Sequence, residues 1–491
     1  MGHRGLTRRS LLGAAGGSLA ALGRAPRVLA ARAAPPDRGD GAAAAPRLFE
    51  QPLGRLGPGL ATVSLEDSAD LLALGWREPP GARPELRFQT PAGAWSPWAP
   101  AAHGAHEDAT AGSARGVVGE PLWAGGTRLV QLRSRHALVG ARLYAVDASA
   151  GAGAARVAAA EARAGRTAVA PPLAEPQLEA GPGQPPIVAR RFWARGECPP
   201  RIAPGYGAVE LGFVHHTETP NGYFPGEVPA MLRSIYVFHR FVRGWNDIGY
   251  NFVLDRFGRI FEARAGGIDE AVVGAHAGGY NTCSTGMAVL GSFMSLPIST
   301  PARASLQRLL SWKLSLHGVP ALGRVTVTVD PAGAIYSRFP GGTEVSLPRV
   351  AGHRDADTTD CPGNILYGEL PAIRTRAHAL AGTPVQATIT TLGGELVGTL
   401  TLLDGAPLTG QAVTLQSRSV SRHGEAVQER PLAQVVTDAE GRWTLPEGPP
   451  GLHRQPLRAL FDGSGAYGAA VSEAIPARPP EAAPAQAPVA G

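Results

Sequence analysis

The chain predicts a central α/β domain, a mixed β-sheet surrounded by helices, flanked by two β-sandwich-like domains. Between residues 187 and 382, short apolar strands alternate with amphipathic helical stretches, which is typical of helices packed on a sheet. On both sides of this region, strand-length apolar runs recur at a spacing of about ten residues, which is typical of sandwiches. The 491 residues, 44% of them hydrophobic, are enough for several separate cores.

The first 34 residues predict an export signal. Arg8 and Arg9 precede Ser-Leu-Leu, and residues 13–22 are rich in Ala, Gly and Leu but too short to span a bilayer. This pattern resembles a bacterial twin-arginine signal, with a small-residue cleavage site near residues 31–33. We therefore expect an exported protein, extracellular or associated with the cell wall. Since no other segment approaches about 18 uninterrupted apolar residues, we expect no transmembrane segment in the mature chain.

Composition divides the rest of the chain into domains and linkers. The predicted order is a linker at 35–47, a β-rich domain at 48–149, a linker at 150–186 with a short helix at 154–163, the central domain at 187–382, a second β domain at 383–475 and a disordered Pro/Ala tail at 476–491. Neither β-rich region carries a cluster of catalytic residue types. We expect both to fold separately and to influence where the protein acts.

The central domain contains recognisable strands and helices. The predicted elements are a buried strand at 209–214, a helix at 228–243 ending before Gly244, a hairpin of 250–254 with 259–262, a buried strand at 285–293, a helix at 302–317 with Thr300 as its cap, an extended segment at 347–351 and a helix at 365–380. Two of these elements deliver histidines. The first strand leads into His215 and His216, and the later extended segment leads into His353.

Two histidines and a cysteine form a candidate metal site. His215, His353 and Cys361 come from separate segments, and such a set suits a catalytic zinc ion with its fourth position open. Buried His and Cys are more often ordinary packed residues, so spacing alone leaves this open. His239 lies near the helical stripe, where a core or cleft-wall position is favoured over a ligand role.

Charge and composition argue against a nucleic-acid partner. The formal net charge is +6, but Lys313 is the only lysine, and no block of basic residues is interleaved with aromatics. We expect no nucleic-acid binding.

Six ordered sequence blocks give a specific resemblance. FVHHT, GWNDIGYNF, DRFGRIFEAR, VVGAHAGGYNT, TGMAVLGSF and GHRDADTTDCPGN occur in this order between residues 213 and 364. Together they resemble the peptidoglycan recognition protein / type-2 N-acetylmuramoyl-L-alanine amidase family. The resemblance implies one mixed sheet with surrounding helices and hydrolysis of the amide between N-acetylmuramic acid and L-alanine. The C-terminal region resembles the immunoglobulin-like or prealbumin-like modules of bacterial surface enzymes.

The resemblance also implies roles for individual residues. It implies one Zn²⁺ per chain held by His215, His353 and Cys361, catalytic roles for Tyr250 and Thr359, and peptide binding by His276 and Asn281. His216 competes with His215 for the first ligand position, and a strictly alternating strand would point only one of them at the site. Asn281 and His276 could instead belong to a turn with a capping side chain. Asp355 and Asp360 could support the histidines.

Three interpretations of the function follow. The first is a zinc amidase acting on peptidoglycan, which we expect to be a monomer. The second is a non-catalytic peptidoglycan receptor, but silent family members lose the Cys or a His, and this chain keeps both. The third, a structural zinc protein, would need a fourth protein ligand.

The remaining cysteines could pair. If Cys361 binds metal, Cys198 and Cys283 are left for a disulfide in an oxidising compartment. Two unpaired buried thiols are equally compatible with the sequence.

Overall fold

The computed structural model describes residues 27–28, 46–79, 82–101, 117–148, 177–178, 183–421, 427–446, 455–464 and 466–476. The predicted signal segment, the linkers at 35–47 and 150–186 and the C-terminal tail fall wholly or mostly outside these ranges. The predicted helix at 154–163 also lies outside the described residues. The boundaries assigned to these segments, like the domain boundaries, stay predictions.

The N-terminal region is an antiparallel sheet. Its strands are β1 (Arg27–Val28), β2 (Arg47–Leu56), β3 (Gly59–Trp76), β4 (Glu85–Phe88), β5 (Ala99–Pro100), β6 (Val117–Val118), β7 (Leu122–Ser134) and β8 (Leu138–Asp147). The strand order is β1-β2-β8-β3-β7-β4-β5, with β6 paired to β3. A two-residue side-chain period sends Leu72 and Leu74 of β3 into the core of this domain and Leu71 and Ala73 to the opposite face.

The central domain is built on one mixed sheet. Its strands are β9 (Gln177–Leu178), β10 (Ile187–Val188), β11 (Leu211–His216), β12 (Phe252–Leu254), β13 (Ile260–Glu262), β14 (Ser284–Val289), β15 (Arg324–Thr328), β16 (Glu344–Pro348) and β17 (Val350–Gly352). The order is β17-β11-β14-β12-β13-β10-β9, while β15 and β16 form a separate hairpin. Strands β17, β11, β14 and β12 are mutually parallel, and β12 and β13 form the predicted hairpin. The prediction of a mixed central sheet is confirmed.

Helices cover both faces of this sheet. They are α1 (Arg190–Ala194), α2 (Val228–Val237), α3 (Thr300–Leu316) and α4 (Asn364–Ala381), with short 3₁₀ turns at Pro225–Glu227, Asn281–Cys283, Pro331–Tyr336 and His353–Asp355. Helices α3 and α4 pack on one face, and α2 packs on the other. The cap of α3 is Ser299, whose hydroxyl accepts from the amide of Ala302, and not the predicted Thr300.

The end of α2 departs from a regular helix. Residues Phe238–Arg243 form a π-helical turn, which ends at Gly244 with φ 81°. Sequence periodicity predicts a helix as far as Arg243 but does not distinguish the π turn. A π turn inside a helix is often found at a functional site.

The C-terminal region is a sandwich of two antiparallel sheets. Its strands are β18 (Val385–Ala387), β19 (Thr390–Leu392), β20 (Glu395–Leu402), β21 (Ala412–Val420), β22 (Val427–Val436), β23 (Arg442–Leu445), β24 (Leu457–Phe461) and β25 (Ala470–Val471). One sheet contains β18, β20, β19 and β23, and the other has the order β22-β21-β24-β25. Trp443, Leu400 and Phe461 lie in the core between them.

The flanking domains share packing with the central domain. Leu71 of β3 and Trp123 of β7 lie in one apolar cluster with Met231 of α2, and Ala469 lies in a cluster with α3 and α4. Gly382, the junction residue, has φ 68°, and an added Cβ there would lie 2.9 Å from the carbonyl oxygen of Ala466. The expectation of separately folding domains has no support in this packing, because apolar surface is buried across both junctions.

A buried ion network joins the C-terminal domain to the central one. The guanidinium of Arg458 is 1% exposed and pairs with Asp269, with Glu270 at 2.7 Å and with Glu429 at 2.7 Å. Arg418 pairs with Glu270 at 2.9 Å. Asp269 and Glu270 belong to the central domain, so the network crosses the junction.

Removing Arg458 should strongly destabilise the protein. Arg458→Leu removes the cation that pairs with the largely buried carboxylate of Asp269, and the unfolding free energy should fall by about 3–5 kcal/mol, as when one partner of a buried ion pair is removed. Arg442→Leu is the control, because Arg442 is 62% exposed in its ion pairs. Exposed pairs contribute about 0–1 kcal/mol. Denaturant titration of both variants is the measurement, and equal losses would contradict the assignment.

Candidate metal centre

Strand β11 directs the side chains of its two neighbouring histidines, His215 and His216, to opposite faces of the sheet. Alternation along the strand places Leu211, Phe213 and His215 on one face, while Val214 and His216 point to the other. His215 is fully buried at the carboxyl end of the strand. The two rings therefore lie in different environments.

His353 arrives at the same edge of the sheet from β17. Gly212 and Val214 of β11 pair in parallel with Val350 and Gly352, so both strands end together. His353 is the first residue of the turn that follows β17 and is fully buried. The rings of His215 and His353 consequently lie 4.6 Å apart between centroids.

Cys361 completes the cluster from the loop after His353. Its carbonyl accepts from the amide of Arg354 at 2.9 Å, and its amide donates to the Thr359 hydroxyl at 3.2 Å. Its thiol is 3.7 Å from Nδ1 of His215. Burial raises the pKa of the Cys361 thiol well above its ordinary value.

The three residues fit zinc. One ligand atom from each of His215, His353 and Cys361 lies within 4.8 Å of the others. Zn–S and Zn–N bonds of about 2.3 and 2.0 Å in a tetrahedral arrangement place sulfur and nitrogen about 3.5 Å apart. The observed Sγ–Nδ1 distance of 3.7 Å agrees with that value. The described residues therefore bring the predicted ligands together.

Buried polar groups orient both imidazoles. Nε2 of His215 lies 3.2 Å from Nδ1 of His276, and Nε2 of His353 lies 2.8 Å from Asp357 Oδ2. The same Asp357 oxygen accepts from the amide of Gly278 at 2.8 Å. Burial raises the pKa of Asp357 to about 8. Contacts of this kind fix which ring nitrogen can face a metal.

Asp357 is a supporting residue that the sequence reasoning missed. The predicted candidates are Asp355 and Asp360, but Asp355 accepts from the Gly352 amide and the Tyr367 hydroxyl. Asp360 contributes its carbonyl, which accepts from Arg354, and its side chain lies outside the metal cluster of the described chain. The four-residue spacing between His353 and Asp357 across one turn is the signal that could have identified Asp357.

Tyr250 packs beside the first ligand. Its ring centroid is 5.4 Å from that of His215, and the residue is 3% exposed. Burial raises the pKa of the Tyr250 hydroxyl well above its ordinary value, and the carboxylate of Glu120 raises it further. The hydroxyl is therefore a hydrogen-bond donor at neutral pH. Its catalytic role stays a prediction, as does that of Thr359.

His276 and Asn281 hold supporting positions. His276 is fully buried beneath His215, and Oδ1 of Asn281 accepts from the amides of His276 and Ala277 at 2.8 and 3.1 Å. This is the alternative of a turn with a capping side chain. Peptide binding by these two residues stays a prediction.

His216 and His239 lie outside the metal cluster of the described chain. Nε2 of His216 is 2.5 Å from the carboxylate of Glu218, and Nδ1 accepts from the amide of Phe293. His239 packs against Tyr250 with ring centroids 5.7 Å apart, and its Nδ1 accepts from the amide of Gly249 at 3.1 Å. Both histidines therefore position neighbouring backbone.

Cys198 and Cys283 are free thiols, so the possible disulfide between them is not formed. The physical reason is their placement in different apolar clusters: Cys198 packs with Trp193, whereas Cys283 packs beside Tyr280. Burial raises the pKa of each thiol to about 12. The alternative of two unpaired thiols is the one that the structure shows.

Comparison with known proteins assigns the family. A family model described as N-acetylmuramoyl-L-alanine amidase matches residues 205–364, and one described as Rv3811 N-terminal galactose-binding domain-like matches residues 36–169. A peptidoglycan-recognition protein of Drosophila simulans is 31% identical over 185 residues, which are 38% of this chain and 85% of that protein. The chain belongs to the peptidoglycan recognition protein family.

The matches to other relatives cover different shares of those proteins. N-acetylmuramoyl-L-alanine amidase of Mus musculus is 32% identical over 179 residues, which are 36% of this chain and 28% of the mouse protein. Among solved structures, wild-type PGRP-LB of Drosophila is 24% identical with a TM-score of 0.30, covering 38% of this chain and 92% of that one. The family model and the curated relatives make the central domain, at family level, a peptidoglycan amidase or recognition domain. The matched region contains His215, His353 and Cys361.

Zinc content tests the ligand assignment directly. The wild-type chain should retain about one zinc ion after dialysis, and Cys361→Ser should retain almost none because one of three ligands is weakened. Cys283→Ser is the matched control, since Cys283 is also a free thiol but lies outside the cluster. Elemental analysis by mass spectrometry gives the count. Full zinc retention by Cys361→Ser would overturn the assignment.

Proposed function

We propose that the protein is a zinc-dependent N-acetylmuramoyl-L-alanine amidase that hydrolyses the amide between N-acetylmuramic acid and L-alanine in peptidoglycan. The observation that carries this proposal is the complete set His215, His353 and Cys361 with Tyr250 beside it. One bound Zn²⁺ per chain would supply Lewis acidity, which polarises a carbonyl and activates water near neutral pH.

The protein's own groups would stabilise the developing charge. The Tyr250 hydroxyl keeps its proton at neutral pH and can donate to the oxygen of the scissile amide. Thr359 accepts from the Cys361 amide, which leaves its own hydroxyl proton free to donate. A threonine supplies no positive charge, so its contribution would be a hydrogen bond.

The supporting layer would keep both histidines neutral and correctly turned. His276 faces Nε2 of His215, and Asp357 faces Nε2 of His353, so the other nitrogen of each ring is available to the metal. All three ligands are buried, which limits the access of water that would compete with them for the metal.

A non-catalytic receptor is the alternative function. Members of the family that have lost activity lack the cysteine or a histidine, whereas this chain keeps the whole set. A structural zinc site would need a fourth ligand, and the described residues supply three in the cluster. The intact three-residue set therefore favours the enzyme.

Tyr250→Phe should separate catalysis from metal binding. The variant loses a hydroxyl without touching a ligand, so zinc content should stay at the wild-type level while kcat falls by about 10²-fold. Mass spectrometry of muropeptides after digestion gives the product and the rate. Tyr236→Phe is the control, because that buried hydroxyl donates to the carbonyl of Pro199 away from the cluster. An unchanged kcat in Tyr250→Phe would exclude a catalytic part for the hydroxyl.

The proposed site of action is outside the cytoplasm. None of the helices in the described ranges is long and apolar enough to cross a bilayer. We propose that the chain acts as a monomer on the cell wall after export by the twin-arginine route.

Changing Arg8 and Arg9 to Lys should keep the precursor in the cytoplasm, because the twin-arginine receptor reads that pair. Immunodetection in cell fractions is the measurement. Changing Arg24 and Arg27 to Lys is the control, since it makes the same two exchanges of Arg for Lys outside the twin-arginine pair. Normal export of the first variant would indicate another route.

A further inference from the structure

Glu120 reaches the central domain from the N-terminal one. It lies between β6 and β7, and its Oε1 accepts from Nη2 of Arg243 at 3.0 Å. The two side chains are 15% and 9% exposed, so the pair is largely shielded from water. Arg243 is the last residue of the π-helical turn after α2. An ion pair therefore connects the N-terminal sheet to the irregular end of α2.

The backbone of Glu120 is held on both sides. The amide of Gly119 donates to the carbonyl of Leu74 in β3 at 2.9 Å, and Pro121 restricts the backbone of Glu120, the residue that precedes it. The sheet itself is held against α2, because Leu71 and Trp123 share an apolar cluster with Met231. The position of the Glu120 carboxylate is thus set by the packing of two domains.

Contacts lead from this pair to the metal site. The π-helical turn contains His239, whose ring contacts the ring of Tyr250 and whose Nδ1 accepts from the amide of Gly249. Tyr250 belongs to the same apolar cluster as Trp123 and Met231.

We propose that Glu120, supplied by the N-terminal β domain, is a positioning residue of the metal site that acts with Arg243 and the π-helical turn to hold Tyr250. The active site is then complete only when the two domains are packed together. The inference rests on the proposed amidase function. The family model for the amidase matches residues 205–364, so Glu120 lies outside the region from which family roles can be transferred.

A double-mutant cycle tests whether Glu120 acts through Tyr250. Glu120→Gln keeps the shape of the side chain and should retain zinc and KM while kcat falls about tenfold, within the usual range for coupled neighbours. In the Tyr250→Phe background, the same change should have little further effect. Full additivity of the two losses would overturn the proposal, since a merely structural effect of Glu120→Gln would persist without the hydroxyl.

Glu50→Gln is the matched control. Glu50 pairs with Arg142 at 2.7 Å within the N-terminal sheet, and the two side chains are only partly exposed. This variant removes a carboxylate from the same domain without touching the central one. Its kcat should match that of the wild type, and Glu50→Gln should show no coupling to Tyr250→Phe.

A second measurement decides the proposal independently of activity. The chain has nine tyrosines, so labelling their Cζ carbons with ¹³C gives a simple NMR spectrum in which Tyr250→Phe identifies the Tyr250 signal. Glu120→Gln should shift that signal, and Glu50→Gln should not. An unmoved Tyr250 signal would overturn the inference even in an active enzyme. A wild-type chain that cleaves no muropeptide would instead overturn the proposed function, and the NMR result would still decide whether Glu120 influences Tyr250.

Discussion

Parallel pairing of β11 with β17 is the constraint on which the site depends. The carboxyl ends of parallel strands meet at one edge of a sheet, so His215 and His353 become neighbours although they are far apart in sequence. The two-residue side-chain period of β11 then selects His215 over His216. A shift of one residue in this register would turn His215 away from the site and bring His216 toward it.

Pairing alone brings the imidazoles together, and a buried polar layer gives them their orientation. His276 and Asp357 reach the site from loops that the sheet edge brings together, and each contacts the ring nitrogen that a metal would not use. Such groups are costly to bury unless they are hydrogen-bonded, which is why the Gly278 amide and Asn281 side chain are part of the arrangement. The layer beneath the ligands is therefore as constrained as the ligands themselves.

The sequence predicts what is local and misses what depends on contacts between distant segments. The strands that end at His215 and His353 and the hairpin that begins near Tyr250 follow from periodicity, whereas the ligand set is implied by the family resemblance. The predicted candidates omit Asp357, although its four-residue spacing from His353 is a local signal. Glu120 could not be identified from local patterns, because its partner Arg243 lies on another segment. The apolar run at residues 71–76, at the end of β3, does carry a signal of burial on both faces, but strand spacing alone predicts only a separate sandwich there.

Both junctions bury apolar surface and contain ion pairs, but only the C-terminal junction has a network of them among the described residues. The N-terminal sheet docks through apolar side chains, which stabilise contact but tolerate some adjustment. The C-terminal sandwich docks through Arg458 and its carboxylates, where any misplacement would leave a buried charge uncompensated. An ion network of this kind favours one docking geometry more than it adds net stability. The central domain is consequently held from both sides, and the loop that carries Asp269 and Glu270 continues directly to His276 beneath the metal site.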